Sequence, residues 1–307
     1  MTHPTLNPDV LTGHHEKINN YYDHLKILQD ATFDTDLFDV KSFIDLKESI
    51  LWDDRPLFFD NVLTNPSDWG SWEEIIDCGA ETGEFHILYI SREENGMPNQ
   101  TELCNVKTDY QQRIKTNRKP IVKNSEEPKA ENLWVNSPNI KTLLEDNKSI
   151  VITNFERKNK NCYEMIRFLS RFFYLRMRNH GIWPAQINSH SGHAHLYCGS
   201  AEAPSFPPHV DGPNNFIFQV EGESLFTVYE NRQNSLSNLH AQNLNKTFSA
   251  ERIDFLSSKL RVLEEKVMKP GDMVYVPSRV FHHVKPLTNR ISVSFPLILK
   301  GPTSVML

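Results

Sequence analysis

Residues 206–222 read FPPHVDGPNNFIFQVEG, and residues 269–284 read KPGDMVYVPSRVFHHV. The first stretch sets His209 and Asp211 two residues apart. On an extended chain, residues i and i+2 share a face, so an imidazole and a carboxylate project together into one space. Alone the pair carries little, because a chain with 13 histidines contains about one such spacing by chance. In the second stretch Pro270-Gly271 forms a tight turn, Asp272 to Val276 alternates like a barrel strand, and Pro277 ends it. His282 follows five residues after Pro277, and a further strand, Arg290-Ile-Ser-Val-Ser-Phe295, comes next. Two histidines and one carboxylate on one face leave three adjacent positions of an octahedral metal open, which suits non-haem Fe(II). A zinc hydrolase accepts the same donors, so the set alone leaves the metal open.

Around these two stretches the pattern has period two. Segments 193–199, 214–220, 224–230, 262–268, 272–276 and 290–299 are short, alternating and bounded by turn residues. No long helix intervenes. This predicts a mainly β chain with flanking helices, built as an antiparallel sandwich or barrel. Upstream, 84–90 and 149–154 read as strands, and Pro56 to Asp60 as an extended segment. Tyr163 to Asn179 reads as the best helix, with Ile166, Leu169, Phe172, Phe173 and Met177 on its inner face. Ile18, Tyr22, Leu25 and Leu28 mark a helix in residues 1–35, and shorter helices are expected around 40–50 and 249–257. From 93 to 136, Asn, Pro, Lys and Glu accumulate, which predicts a long surface loop, either a plain solvated excursion or a substrate-docking segment. The expected division is 1–148, a helical and mixed region packing on the barrel, and 149–307, the barrel core.

Composition narrows the function classes. The chain has 307 residues, 38% of them hydrophobic, and a formal net charge of −6. That is enough apolar material for a core, and the charge argues against a nucleic-acid coat held by bulk positive charge. No apolar run approaches the roughly 18 residues of a membrane span. The start lacks a basic region followed by an apolar stretch, so a secretory signal is not expected. Cys78, Cys104, Cys162 and Cys198 lie far apart with no CxxC pair, which predicts reduced thiols and a cytoplasmic protein.

Residues 150–299 resemble the JmjC and ribosomal-oxygenase-like branch of the cupin-fold Fe(II)/2-oxoglutarate oxygenases. His209-x-Asp211, Phe216, Gln219 and Gly222 reproduce the family pattern HxDxxxxFxxQxxG without a gap. PGD-x-x-Y-x-P followed by His282 matches its second block. The resemblance implies a double-stranded β-helix (jelly roll) and assigns His209, Asp211 and His282 as metal ligands. In a strand His283 points the other way and is expected to pack. Related halogenases lack a carboxylate where Asp211 stands, so the resemblance implies a hydroxylase using Fe(II), 2-oxoglutarate and O2. There is one departure. Many relatives bind the distal carboxylate of 2-oxoglutarate with a lysine or arginine two residues after the glycine, where this chain has Ser224. A buried dicarboxylate needs a cation, because an unpaired buried charge is costly. Arg290 is the expected substitute. It shares a face with Ser292, and an Arg-x-Ser pair serves as this anchor in other oxygenases of the superfamily. The alternative is that Arg290 is an exposed loop cation, and Lys285 is a weaker candidate. Asn215 and Tyr197 are expected near the other end of the cosubstrate.

Three functions follow. The first is hydroxylation of a protein or peptide side chain, and the second is the same chemistry on a small molecule such as a free amino acid. The third is a metal-binding cupin without oxygenase activity. The sequence ends eight residues after Leu299, which counts against a close ribosomal-oxygenase role that uses a winged-helix extension. A homodimer stays open. The histidines at 190, 193 and 195 form a local cluster with no second block to complete a metal site.

Overall fold

The computed structural model describes residues 35–39, 41–43, 45–46, 55–80, 85–92, 98–104, 140–179, 193–232, 256 and 258–297. All of these lie in one compact unit, Thr35–Leu307. The strands are β1 (Leu57–Phe59), β2 (His86–Arg92), β3 (Pro98–Cys104), β4 (Ser149–Thr153), β5 (His195–Gly199), β6 (Asn214–Glu221), β7 (Ser224–Arg232), β8 (Val262–Met268), β9 (Met273–Val276), β10 (Val280–Pro286) and β11 (Arg290–Leu297). The helices are α1 (Trp72–Ala80), α2 (Ile140–Glu145) and α3 (Lys160–Asn179).

All strand pairs are antiparallel. One sheet has eight strands in the order β1-β9-β6-β11-β5-β4-β2-β3, and the other has three, β10-β7-β8. Two opposed antiparallel sheets with this winding make a jelly roll. The expected mainly β architecture with flanking helices is the one observed.

Central strand β6 shows how the layers form. Asn215, Ile217 and Gln219 point inward to a cavity between the sheets, while Phe216 and Phe218 point outward. Both faces are covered, so the strand reads NNFIFQVE rather than as a strict apolar–polar alternation. On the outer face, Trp69 stacks on Phe218 (6.4 Å between centroids, 11°), and Phe295 meets Phe218 edge-on at 5.6 Å. Phe43 and Phe168 extend that aromatic layer. On the inner face, Phe226, Val228, Met268, Val274, Val276 and Val280 pack between the two sheets.

The order of the elements follows the sequence with instructive shifts. Helix α3 starts at Lys160 and buries Cys162, Met165, Phe168 and Leu169, with Phe172 half-buried. Ile166, expected inside, is half-exposed. The inward stripe is thus rotated about one residue, because the neighbouring Phe38–Phe43 aromatic layer meets Phe168. The predicted loop at 93–136 contains β3, which pairs with β2 from Ile87↔Cys104 to Arg92↔Pro98. Its polar sequence, PNQTELC, carries no β signal of its own, and partner pairing decides it. The rest of that loop, the helix expected in 1–35, and most of the 249–257 segment lie outside the described residues. In the expected 40–50 helix, residues 41–43 and 45–46 are helical.

The motif glycines serve turns. Gly222 has φ +67, and a Cβ built there would lie 1.8 Å from the Asn289 carbonyl oxygen. Gly271, at φ +97, accepts from the Val62 and Leu63 N–H groups through its carbonyl (2.7 and 3.0 Å). Asp272 accepts from the Lys269 N–H (2.9 Å) and the Asn61 N–H (3.0 Å), so the PGD turn ties the eight-stranded sheet to residues 61–63. Gly222→Ala is expected to cost about 2 kcal/mol or more, since it adds left-handed strain to the backbone collision. The check is a lower urea midpoint at unchanged m value.

Candidate metal and keto-acid site

His209 lies just before β6, and His282 is the third residue of β10. The two backbones form a reciprocal bridge: the His209 N–H donates to the His282 carbonyl (3.1 Å), and the His282 N–H donates to the His209 carbonyl (2.9 Å). Below it, the Arg279 N–H donates to the Asp211 carbonyl (2.8 Å), and the Ser278 hydroxyl donates to the Gly212 carbonyl (2.6 Å). The segment 209–212 is in this way zipped onto the start of β10. The two imidazole rings face each other with centroids 4.4 Å apart.

One nitrogen of His209, one of His282 and a carboxylate oxygen of Asp211 all lie within 4.8 Å of one another. His282 Nε2 is 3.5 Å from Asp211 Oδ2, and His209 Nε2 is 4.0 Å from Oδ1. The tautomers follow from the other ring nitrogens. His209 Nδ1 lies 2.9 Å from the Pro207 carbonyl, and His282 Nδ1 lies 3.2 Å from the Val280 carbonyl. A carbonyl only accepts, so each Nδ1 carries the proton. Each Nε2 then keeps its lone pair directed at the shared space, the arrangement a metal-binding imidazole needs. The Phe226 ring lies parallel to His282 (5.8 Å, 4°), and Phe206 packs on His209 at 5.5 Å. The side chain of His282 is 2% exposed, against 21% for His209 and 32% for Asp211, so the cluster opens on the Asp211 side.

Asp211 accepts from the Asn215 amide through Oδ2 (2.5 Å). Burial raises the Asp211 carboxyl, but His282, His209 and the Asn215 hydrogen bond together outweigh it and hold the group below its ordinary range. It is therefore ionised as a ligand must be.

Arg290 and Ser292 line the same cavity, as do Tyr197, Asn215 and Gln219. The cavity measures about 50 Å3. Arg290 is 6% exposed. It is not an exposed loop cation, because it opens β11 inside the sheet. Burial pulls its guanidinium down to about 10, with Cys198 and Tyr197 pulling the other way, so it stays charged at neutral pH. Its Nη1 donates to the Ser292 hydroxyl (3.3 Å), while its Nε is buried without a partner. No carboxylate pairs with it among the described residues. Asn215 Oδ1 is a second buried, partnerless atom in the cavity. A buried cation and an orphaned acceptor beside three converging donors fit a metal ion with an anionic ligand next to it. Tyr197 is half-buried; desolvation pushes its phenol well up, and the Asp211 charge adds to the effect against a hydrogen bond with Ser294. Lys285 is exposed on β10.

The structure also answers for the other histidines. His283 points away from the cluster and meets the Ser205 hydroxyl at 3.3 Å. His193 Nδ1 meets Glu156 (3.3 Å), and the same carboxylate accepts from the Ala194 N–H (2.9 Å). Sequence reasoning missed Phe226, Phe206 and Met268 as cavity wall. For Phe226 a signal existed: it shares the inward face of β7 with Val228 by period two.

Residues 177–305 match the JmjC domain family. JmjC domain-containing protein F of Dictyostelium discoideum is 28% identical over 130 residues, covering 34% of this chain and 27% of that protein. Among solved structures, the chain is similar to YcfD, a ribosomal oxygenase from Escherichia coli. The form in complex with cobalt and succinic acid gives a TM-score of 0.47 at 13% identity, covering 84% of this chain and 53% of that chain. The form with cobalt and 2-oxoglutarate gives the same values. The chain spans about half of YcfD and about a quarter of the Dictyostelium protein.

If the metal sits on this cluster, Asn215→Ala is expected to weaken Co(II) binding by about tenfold, since it frees the Asp211 carboxylate to turn. His282→Ala removes a donor outright and weakens it far more. Calorimetric titration of the metal-free protein reads both, and equal affinity in all three proteins would place the metal elsewhere.

Proposed function

We propose that this chain, whose residues 177–305 match the JmjC domain family, is an Fe(II)/2-oxoglutarate-dependent oxygenase. Its reaction is hydroxylation of an unactivated C–H bond, with a protein or peptide side chain as substrate. The observation that carries this reading is the pairing of one three-donor cluster with one buried, anion-less guanidinium in a single cavity. The first alone would also suit a zinc hydrolase; the second adds a place for an anion beside the metal.

In this reading His209, Asp211 and His282 hold the metal through the two Nε2 lone pairs and the carboxylate. Bound Fe(II), with 2-oxoglutarate and O2, supplies the oxidation of the C–H bond, coupled to decarboxylation of the keto acid to succinate. The protein's own work is placement. Arg290 takes the distal carboxylate of the keto acid, for which a guanidinium offers paired donors. Asn215 keeps the Asp211 carboxylate in one orientation. Phe226, Met268, Ile217 and Val284 keep that end of the cavity apolar. Asp211 completes the donor set, which favours hydroxylation over halogenation.

The choice of a polypeptide substrate rests on the sheet beyond the cavity. His86, Thr153, His195 and Ser294 stand in register across β2, β4, β5 and β11, so they share one face. Ser292 and Tyr197, one rung away, line the cavity on that same face. His86, Thr153 and His195 are half-exposed. Among the described residues, the apolar packing between the sheets draws on β1 and β6 to β10 and stops short of this row. A row of hydrogen-bonding side chains leading away from Asp211 gives an extended polypeptide a surface to lie on. Among the described residues, Cys78, Cys162 and Cys198 are buried and form no disulfide, which suits a reducing compartment such as the cytoplasm.

Anaerobic titration of the Fe(II) protein with 2-oxoglutarate tests the reading. The metal-to-ligand charge-transfer band is expected in the wild type and absent in His209→Ala. Arg290→Ala is expected to weaken 2-oxoglutarate by about thirtyfold or more and to leave Fe(II) affinity unchanged, because it strips the one buried cation found among the described residues from the anion's side. Metal binding without a band in the wild type would leave the non-oxygenase cupin standing instead.

A further inference from the structure

The proposed function leaves the second half of the first motif, Gln219-x-x-Gly222, without a task. Gln219 is 3% exposed and Ser292 is 3% exposed. The Gln219 amide nitrogen donates to the Glu221 carbonyl at 2.7 Å, with the Ile291 carbonyl at 3.5 Å beside it. Carbonyls cannot donate, so the amide has one orientation, and its oxygen faces Ser292. The Ser292 hydroxyl donates to that oxygen (3.0 Å). A hydroxyl has a single proton. Having given it to Gln219, Ser292 meets Arg290 Nη1 only as an acceptor (3.3 Å). The chain runs one way: guanidinium to hydroxyl, hydroxyl to amide, amide to backbone.

We infer that Gln219 is a positioning residue for the keto acid: acting through Ser292, it fixes the Arg290 guanidinium by Nη1 and leaves the Nε–H for the ligand carboxylate. This rests on the proposed use of 2-oxoglutarate. The amide is required rather than the acid. A carboxylate at this position would lose the donation to the Glu221 carbonyl and would give Arg290 an internal counter-ion. Gly222 supports the same device from the other side. Its backbone sits against the Asn289 carbonyl, the residue before Arg290, where any side chain would push the strand away. Both motif residues therefore bear on the start of β11.

The test is a double-mutant cycle on the full chain. Wild type, Gln219→Met, Ser292→Ala and the double variant are loaded with Fe(II) anaerobically. The Kd for 2-oxoglutarate is read from the charge-transfer band, with Fe(II) affinity and Tm alongside. Each single substitution is expected to raise Kd about tenfold, the size of one hydrogen bond to a charged group. The double variant is expected to match the larger single effect, because both break one chain. Gln219→Glu is expected to raise Kd further than Gln219→Met, and it decides the question should Gln219→Met not fold. Fe(II) affinity is expected to hold in all of them. A Gln219 variant with wild-type Kd, or losses that multiply in the double variant, overturns the positioning role while leaving the keto-acid reading intact. A wild type that binds Fe(II) and shows no band overturns that reading, and this inference with it.

Discussion

Two backbone hydrogen bonds, between the N–H and carbonyl groups of His209 and His282 in both directions, join stretches that are far apart in the chain. Everything at the site depends on this bridge. It sets the two imidazoles 4.4 Å apart before any metal is present. Which way each ring faces is fixed by a carbonyl two residues back in the chain, which holds each Nδ1. The two imidazoles are thus organised by backbone pairing, and in the proposed function binding a metal would require little ordering of side chains. Phe226, parallel to His282, adds about 0.5–1.5 kcal/mol and closes one side.

The same sheet holds a group that the protein alone does not satisfy. A buried guanidinium with no counter-ion costs several kcal/mol even after relaxation. The fold tolerates it through one hydrogen bond to Ser292 and leaves the Nε–H buried and unpaired. Such a residue is expected where strain serves binding, because an arriving carboxylate recovers the cost. Asp211 lies in the same cavity, yet its carboxylate is already held by the Asn215 amide. The cavity therefore has a metal pole and an anion pole, and these poles do not neutralise each other.

Much of this was legible in the sequence. Period-two alternation from residue 193 onward marks most strands of the roll, because successive side chains on a strand point to opposite faces, one of them toward the space between the sheets. The spacing of His209, Asp211 and His282 is legible because i, i+2 on a strand and a fixed count from Pro277 are local rules. What was not legible depends on partners. β3 is polar and becomes a strand only because β2 offers an edge. The membership of β1 and β2 in the eight-stranded sheet is likewise a matter of pairing, invisible in three to seven residues. On α3 Leu169 lies inside as expected and Ile166 does not, while the side chains of Phe173 and Met177 lie outside the described residues; an amphipathic helix with apolar residues on more than one side takes its orientation from what it meets. The burial of Arg290 had a signal in the Arg-x-Ser spacing, but spacing could not exclude a position one residue outside the sheet.

The cation's position has a structural logic. Ser224 occupies the site where many relatives place the basic residue, and its hydroxyl is fully buried without a partner. Ser224 shares the inward face of β7 with Phe226 and Val228, so a lysine there would point into the same interior as Arg290. Two buried like charges around one dicarboxylate would add a second desolvation cost and repel each other. The small neutral residue on β7 and the arginine on β11 are therefore one choice made at two positions. Moving the charge to β11 places it on the strand that pairs with both β5 and β6. Tyr197, Ser292 and Gln219 then line the cavity from adjacent strands of a single sheet, and the three-stranded sheet is left to supply apolar cover and His282.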